Sequence, residues 1–188
     1  MYEVELKYPL ADAVAATTAL GSLAASFRPA IEQVDRYFSH PCRDFGRTDE
    51  ALRLRREGDA VAVTWKGPRL GASAKTRREI ELPVAAGNGG AATLEEWTAL
   101  LEALGFCNLR EVAKVRTPAR LPWQGTDVEI ALDRVSGLGD FLELELLARE
   151  GEVPMALSCL ESLARELRLG EPERRSYLEL LLVHDRPR

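Results

Sequence analysis

The sequence predicts an α+β fold in which about eight antiparallel strands, enough to close a barrel, carry about four helices on the outside. Three observations point there. Eight stretches alternate apolar and polar residues with the period of a strand. A tight turn signal and closely spaced strand runs favour antiparallel neighbours. Charged residues recur at spacing two within the strands, often in pairs of one sign. No linker divides the 188 residues, which fit one domain over 1–188.

Taken in order, Tyr2 to Tyr8 alternates strictly and reads as the first strand, and the Ala- and Leu-rich run from Leu10 to Ala25 as a helix. A strand from Ile31 to Phe38 and a polar loop from Pro41 to Asp49 follow. Ala51 to Arg56 and Val61 to Lys66 form a hairpin around Glu57-Gly58-Asp59, ended by Lys66-Gly67-Pro68. Arg77 to Val84 is the next strand, and Gly87-Asn88-Gly89-Gly90 a break. Thr93 with Glu96 is a capping box, so a helix runs on to Leu104 before Gly105. Three strands follow, Glu111 to Thr117, Asp127 to Val135 and Phe141 to Leu147. Helical spacing from Met155 to Leu169 and a short helix from Glu173 to Val183 complete the chain.

Composition narrows the function. Hydrophobic residues make up 46% and charged residues 29%, with a net charge of -5. That balance is globular, and it argues against a general nucleic-acid binder, whose affinity comes from a basic surface. Cys42, Cys107 and Cys159 are odd in number and form no CxxC pair, so neither a disulfide framework nor a zinc site is expected. No signal peptide is evident, no apolar run is long enough to span a bilayer, and a cytoplasmic protein without membrane or nucleic-acid partners is expected.

Residues i and i+2 of a strand share a face. Glu3, Glu5 and Lys7 therefore stand together, as do Arg53 and Arg55; Arg77, Glu79 and Glu81; Lys114 and Arg116; Glu129 and Asp133; and Glu143 and Glu145. Alternation alone fits best with charges in solvent and apolar faces inward. The unmixed pairs Arg53/Arg55, Lys114/Arg116 and Glu143/Glu145 favour the reverse, because a surface sheet gains little from like charges side by side. A polyanion bound with a divalent cation needs both signs at close range. Arginine takes phosphate oxygens bidentately, and carboxylates hold Mg²⁺ or Mn²⁺. The charged faces are then expected inside a closed eight-stranded β-barrel, a tunnel, with the helices over its apolar exterior.

Glu3-Val4-Glu5-Leu6-Lys7 is an ExExK motif, and an ordered set follows it. This comprises Gln33 to Phe38, Ala51-Leu52-Arg53-Leu54-Arg55, Thr64-Trp65-Lys66-Gly67-Pro68, Arg77-Arg78-Glu79-Ile80-Glu81, Lys114-Val115-Arg116, Asp133 with Phe141 to Glu145, and Ser176-Tyr177. The set resembles the CYTH superfamily of triphosphate tunnel metalloenzymes, which includes class IV adenylyl cyclases and thiamine triphosphatases. The resemblance implies a topologically closed tunnel. It implies phosphate binding by Lys7, Arg53, Arg55, Lys66, Arg77, Lys114 and Arg116. It also implies that Glu3, Glu5, Glu79, Glu81, Asp133, Glu143 and Glu145 hold or orient one or two Mg²⁺ or Mn²⁺ ions, with Glu129 a further candidate by strand parity. Lys7 and Glu5 are the expected catalytic pair. Arg78, of opposite parity to Arg77, belongs outside.

The reaction splits two ways. A cyclase directs the ribose 3′-hydroxyl of ATP at the α-phosphorus, whereas a triphosphatase directs water at ATP, thiamine triphosphate or inorganic triphosphate. Arg43-Asp44-Phe45 and Thr48 to Arg53 resemble the class IV cyclase group. A binding module without turnover would not need the acidic set. His40 and His184 read as incidental, Tyr37, Tyr177, Trp65, Trp97 and Trp123 as packing residues, and Cys42 as uninvolved. An apolar strip left uncovered on the barrel would suit a homodimer.

Overall fold

A computed structural model describes residues 2–69, 76–84 and 93–185. The elements are β1 (Tyr2–Leu10), α1 (Ala13–Ser22), β2 (Ser26–Phe27), β3 (Ile31–Ser39), α2 (Phe45–Thr48), β4 (Ala51–Glu57), β5 (Ala60–Arg69), β6 (Arg77–Val84), α3 (Leu94–Ala103), β7 (Cys107–Trp123), β8 (Thr126–Val135), β9 (Gly139–Ala148), α4 (Val153–Glu166) and α5 (Tyr177–His184).

The sheet runs β2-β7-β3-β4-β5-β6-β1-β9-β8, and pairing of β8 back onto β7 closes it. The result is an antiparallel barrel of eight strands, with β2 attached to β7 as an extra strand. β7 makes closure possible. Its first part, from Cys107 to Arg116, pairs with β3, and its second, from Lys114 to Trp123, pairs with β8. A closed sheet needs such stagger, because the strands tilt against the barrel axis.

Local signals place the other elements. Gly58, at φ 57°, opens the two-residue turn between Glu57 and Ala60. The box of Thr93 and Glu96 starts α3, and one of Ser176 and Glu179 starts α5. Asp12 caps α1, which begins three residues later than the apolar run suggested because β1 extends through Leu10.

Several boundaries depart from the sequence pattern. β7 is 17 residues long, although only its middle alternates clearly. Pro118 and Pro122 masked the rest. They fall in the part of β7 whose second edge meets only the two-residue β2, where a missing N–H is tolerated. β5 continues past Gly67-Pro68 to Arg69 through a register shift. The loop from Pro41 to Asp49 contains the single turn α2, capped by Asp44. The break at Gly87 to Gly90 lies outside the described residues.

The apolar strand faces point outward and are buried by helices. Val4, Leu6, Leu142, Leu144, Val128 and Ile130 pack against Leu20 of α1 and Cys159, Leu160 and Leu163 of α4. Phe38, Leu54 and Val61 meet Leu94 and Leu101 of α3. A third cluster, Tyr37, Val112, Val135 and Phe141 with Tyr177 and Leu181, brings α5 against residues that share strand parity with the tunnel charges. No helix among the described residues is long and apolar enough to cross a membrane. Leu144 is fully buried between β1, β8 and α4. Leu144→Ala is expected to cost about 3 kcal/mol of unfolding free energy, measured by urea denaturation.

Candidate active site

The barrel encloses a cavity of about 880 Å³. The site residues expected from the sequence line it, except Asp133, which lies just behind, and the further candidate Glu129. Strand parity turns these side chains inward, and register sets their neighbours. Asp35 of β3 faces Arg55 of β4, Arg116 of β7 faces Asp133 of β8, and Lys7 of β1 faces Glu143 of β9. Arg78 is exposed outside, as its parity requires. Glu129 is engaged by Arg28 and Arg120 and is absent from the cavity lining.

The cations are held by resident acids. Arg55 grips Asp35 through two bonds, Nε to Oδ1 at 2.6 Å and Nη2 to Oδ2 at 2.8 Å, with Arg53 3.5 Å from the same carboxylate. Arg116 grips Asp133 likewise, at 2.7 and 2.6 Å, and also contacts Glu143. Asp133 also accepts from the Lys114 amine at 3.1 Å and from the Tyr177 hydroxyl, which donates to it at 3.0 Å. Lys66 lies 2.9 Å from Glu3 and 2.7 Å from Glu79. Glu81 accepts from Thr64 at 2.9 Å.

These pairings set the charge states. Burial opposes ionisation of Asp35, yet Arg53 and Arg55 hold its carboxyl well below the usual range. Burial and the Arg116 charge bring Lys114 down to about 8. Glu145 behaves oppositely, since burial and then Glu3 push its carboxyl up to about 8.

Carboxylate oxygens of Glu3, Glu5 and Glu145 lie within 4.8 Å of one another. Glu5 and Glu145 are directly opposed across β1 and β9, an arrangement that destabilises a sheet unless a proton or cation intervenes. An all-oxygen donor set of this charge fits Mg²⁺ or Mn²⁺.

Lys7 is 1% exposed. Its amine donates to the Arg175 carbonyl at 2.5 Å and sits 4.0 Å from the centre of the Tyr177 ring. Glu173 N–H in turn donates to the Lys7 carbonyl at 2.6 Å. The segment leading into α5 therefore anchors the end of the ExExK strand.

Sequence reasoning missed the roles of Asp35 and Tyr177. Asp35 shares parity with Gln33 and Tyr37 on β3, all buried, so the spacing rule that found the arginines applied to it as well. Tyr177 stands on a distant helix, and no local pattern joins it to Asp133. Arg69 was also missed. It binds Asp49 and Glu179 at 2.6 and 3.0 Å, linking the loop before β4 to α5.

The family profile described as CYTH domain matches residues 1–177. MJ0240 of Methanocaldococcus jannaschii, a protein carrying the proposed name adenylate cyclase, is 34% identical over 183 residues, 96% of this chain and 98% of that protein. The solved structure of the PH1819 protein from Pyrococcus horikoshii superposes with a TM-score of 0.84 at 39% identity, over 97% of this chain and 99% of that one. A Vibrio parahaemolyticus protein, also with the proposed name adenylate cyclase, shares the fold at a TM-score of 0.80 and 22% identity, over 97% and 98%.

Asp35→Asn removes the acid that Arg55 grips and leaves Arg53 only its longer contacts to Glu79 and Glu81, at 4.0 and 3.9 Å. The expected result is a loss of about 3 kcal/mol of stability. Thermal unfolding should show pyrophosphate restoring more of the melting temperature in the variant than in the wild type, since the anion replaces the lost charge.

Proposed function

The chain belongs to the CYTH domain family, and from that premise we propose that it is a divalent-metal-dependent enzyme acting on a triphosphate, an adenylyl cyclase of the class IV type. One observation supports this reading above the others. A single cavity places Arg53, Arg55, Lys66, Arg77, Lys114 and Arg116 beside the clustered acids Glu3, Glu5 and Glu145. Cations alone would suffice to capture an anion, whereas the adjoining acids supply a place for a metal. The 34% identity to MJ0240 favours the cyclase among family reactions.

The cations take the phosphate oxygens. Asp35 and Asp133 keep the guanidinium groups in fixed directions, so the array needs little reorganisation when negative charge shifts during reaction. Glu3, Glu5 and Glu145 would hold Mg²⁺ or Mn²⁺, which when bound neutralises phosphate charge. Glu79, Glu81 and Glu143 line the same cavity as counter-ions or further ligands, and Asp133 holds Lys114 and Arg116 from behind.

In the cyclase reaction the 3′-oxygen forms a bond to the α-phosphorus. The bond from that phosphorus to the bridging oxygen breaks, and pyrophosphate leaves with the electron pair. Glu5 and Lys7, on one face of β1, are assigned to orient the hydroxyl and receive its proton. Cation binding and alignment, with little covalent participation by protein, suit this chemistry.

The direct test incubates the protein with ATP, inorganic triphosphate and thiamine triphosphate, each with Mg²⁺ or Mn²⁺, and resolves the products. Cyclic AMP and pyrophosphate are expected from ATP. Orthophosphate without cyclic AMP would make the protein a triphosphatase, and binding without product would make it a non-catalytic module. Arg55→Ala is expected to raise KM about tenfold or more, because it removes a bidentate charged contact. Glu5→Ala is expected to raise the metal concentration for half-maximal activity by at least about tenfold. Unchanged kinetics in both variants across a metal titration would overturn the assignment.

A further inference from the structure

One side chain of α5 touches four consecutive strands. β1, β9, β8 and β7 lie side by side in the closed sheet. Lys7 of β1 holds its amine 4.0 Å from the centre of the Tyr177 ring, and Lys114 of β7 holds its own 5.2 Å away. Phe141 of β9 meets the ring edge-on at 5.1 Å. Asp133 of β8 accepts from the hydroxyl at 3.0 Å. A tyrosine kept for packing alone would need only its ring.

The sheet itself does not set these groups against one another. Lys7 and Lys114 stand three strands apart, roughly 14 Å around the sheet. No ladder bond relates the two strands directly, and each amine ends a flexible four-carbon stem. A single ring that both ammonium groups approach gives them a common reference, since a cation is attracted to a ring face.

The hydroxyl has a separate task. A carboxylate only accepts, so the phenol donates to Asp133 Oδ2. The same oxygen takes Lys114 Nζ at 3.1 Å and Arg116 Nη2 at 2.6 Å. Three donors converge there, and the direction of Asp133 fixes that of both cations. Tyr177 is itself held in place. Ser176 and Glu179 form the capping box that starts α5 at this residue, and Arg69 binds Glu179 at 3.0 Å. Leu181, one turn further on, is buried in the same apolar cluster.

We infer that Tyr177 is a positioning residue with two separable effects: its hydroxyl, through Asp133, aims Lys114 and Arg116 at the phosphates, and its ring sets the Lys7 amine for the chemical step. Substrate affinity then follows the hydroxyl, and turnover follows the ring. This rests on the triphosphate reading of the tunnel and on the roles assigned there to the three cations.

Two variants of Tyr177 separate the effects. Tyr177→Phe keeps the ring and removes the bond to Asp133, whereas Tyr177→Leu removes both. Leu181→Ala, in the same helix and cluster, is the packing control. Steady-state kinetics use whichever triphosphate gives product with Mg²⁺ or Mn²⁺. Equilibrium binding uses inorganic triphosphate without metal, and circular-dichroism melts monitor the fold. Tyr177→Phe should raise KM and weaken triphosphate binding about fivefold, with kcat within about twofold of wild type. Tyr177→Leu should weaken binding as much and also lower kcat at least about tenfold. Leu181→Ala should lower the melting temperature while moving neither kcat nor KM by more than about twofold. Wild-type KM and binding in Tyr177→Phe, or a kcat loss in Leu181→Ala equal to that in Tyr177→Leu, would overturn the inference and leave the tunnel reading standing. Binding without turnover in the wild type would overturn the role given to the ring. Wild-type protein that neither binds inorganic triphosphate nor yields product would sink the tunnel reading and this inference together.

Discussion

A charged side chain inside a closed sheet must find opposite charge nearby, and this requirement organises the whole molecule. Lys7, Arg53, Lys114, Asp35 and Asp133 are all buried. An ion left there alone would cost several kcal/mol, so each is tolerated only with its counter-ion. Asp35 answers Arg53 and Arg55, and Asp133 answers Lys114 and Arg116. Turning charge inward inverts the usual polarity of a small barrel. Its apolar faces then lie outside, and α1, α3 and α4 supply the surface that buries them.

The same pairing separates two kinds of charge within one cavity. Most cations are engaged by fixed acids, which hold their directions. Glu3, Glu5 and Glu145 crowd together, with Lys66 reaching Glu3 from one side. The surplus of negative charge there and of directed positive charge opposite makes the cavity suited to an anion and a metal in contact. A surface sheet with the same residues would screen and dissipate that difference.

α5 joins the ends of the construction. Tyr177 and Leu181 pack on inward-facing Tyr37, Val112, Val135 and Phe141, while Leu178 and Leu182 line the cavity mouth. The Tyr177 ring also lies against the Lys7 amine, and its hydroxyl joins the Asp133 network. One helix thus seals part of the barrel, steadies the strand that carries Glu3, Glu5 and Lys7, and forms a wall of the entrance. The Arg69 bridge links that wall to the loop carrying His40 and Phe45.

Much of this was legible from residues two apart. The period of a strand alone determines that Arg53 shares a face with Arg55, and Glu3 with Glu5 and Lys7, because each backbone step reverses the side chain. Cap chemistry likewise announced α3 through Thr93 and Glu96. The full reach of β7 was hidden by two prolines whose tolerance depends on what lies beside that strand. Asp35 had the right parity, but its meaning required the register that sets it opposite Arg55. Tyr177 and Arg69 act across 44 and 110 residues of chain, respectively, where no local pattern reaches. Local backbone period settles which side chains share a face. Which acid meets which cation, and what stands at the mouth, depends on register, closure and helix docking, and these are set by contacts between distant segments.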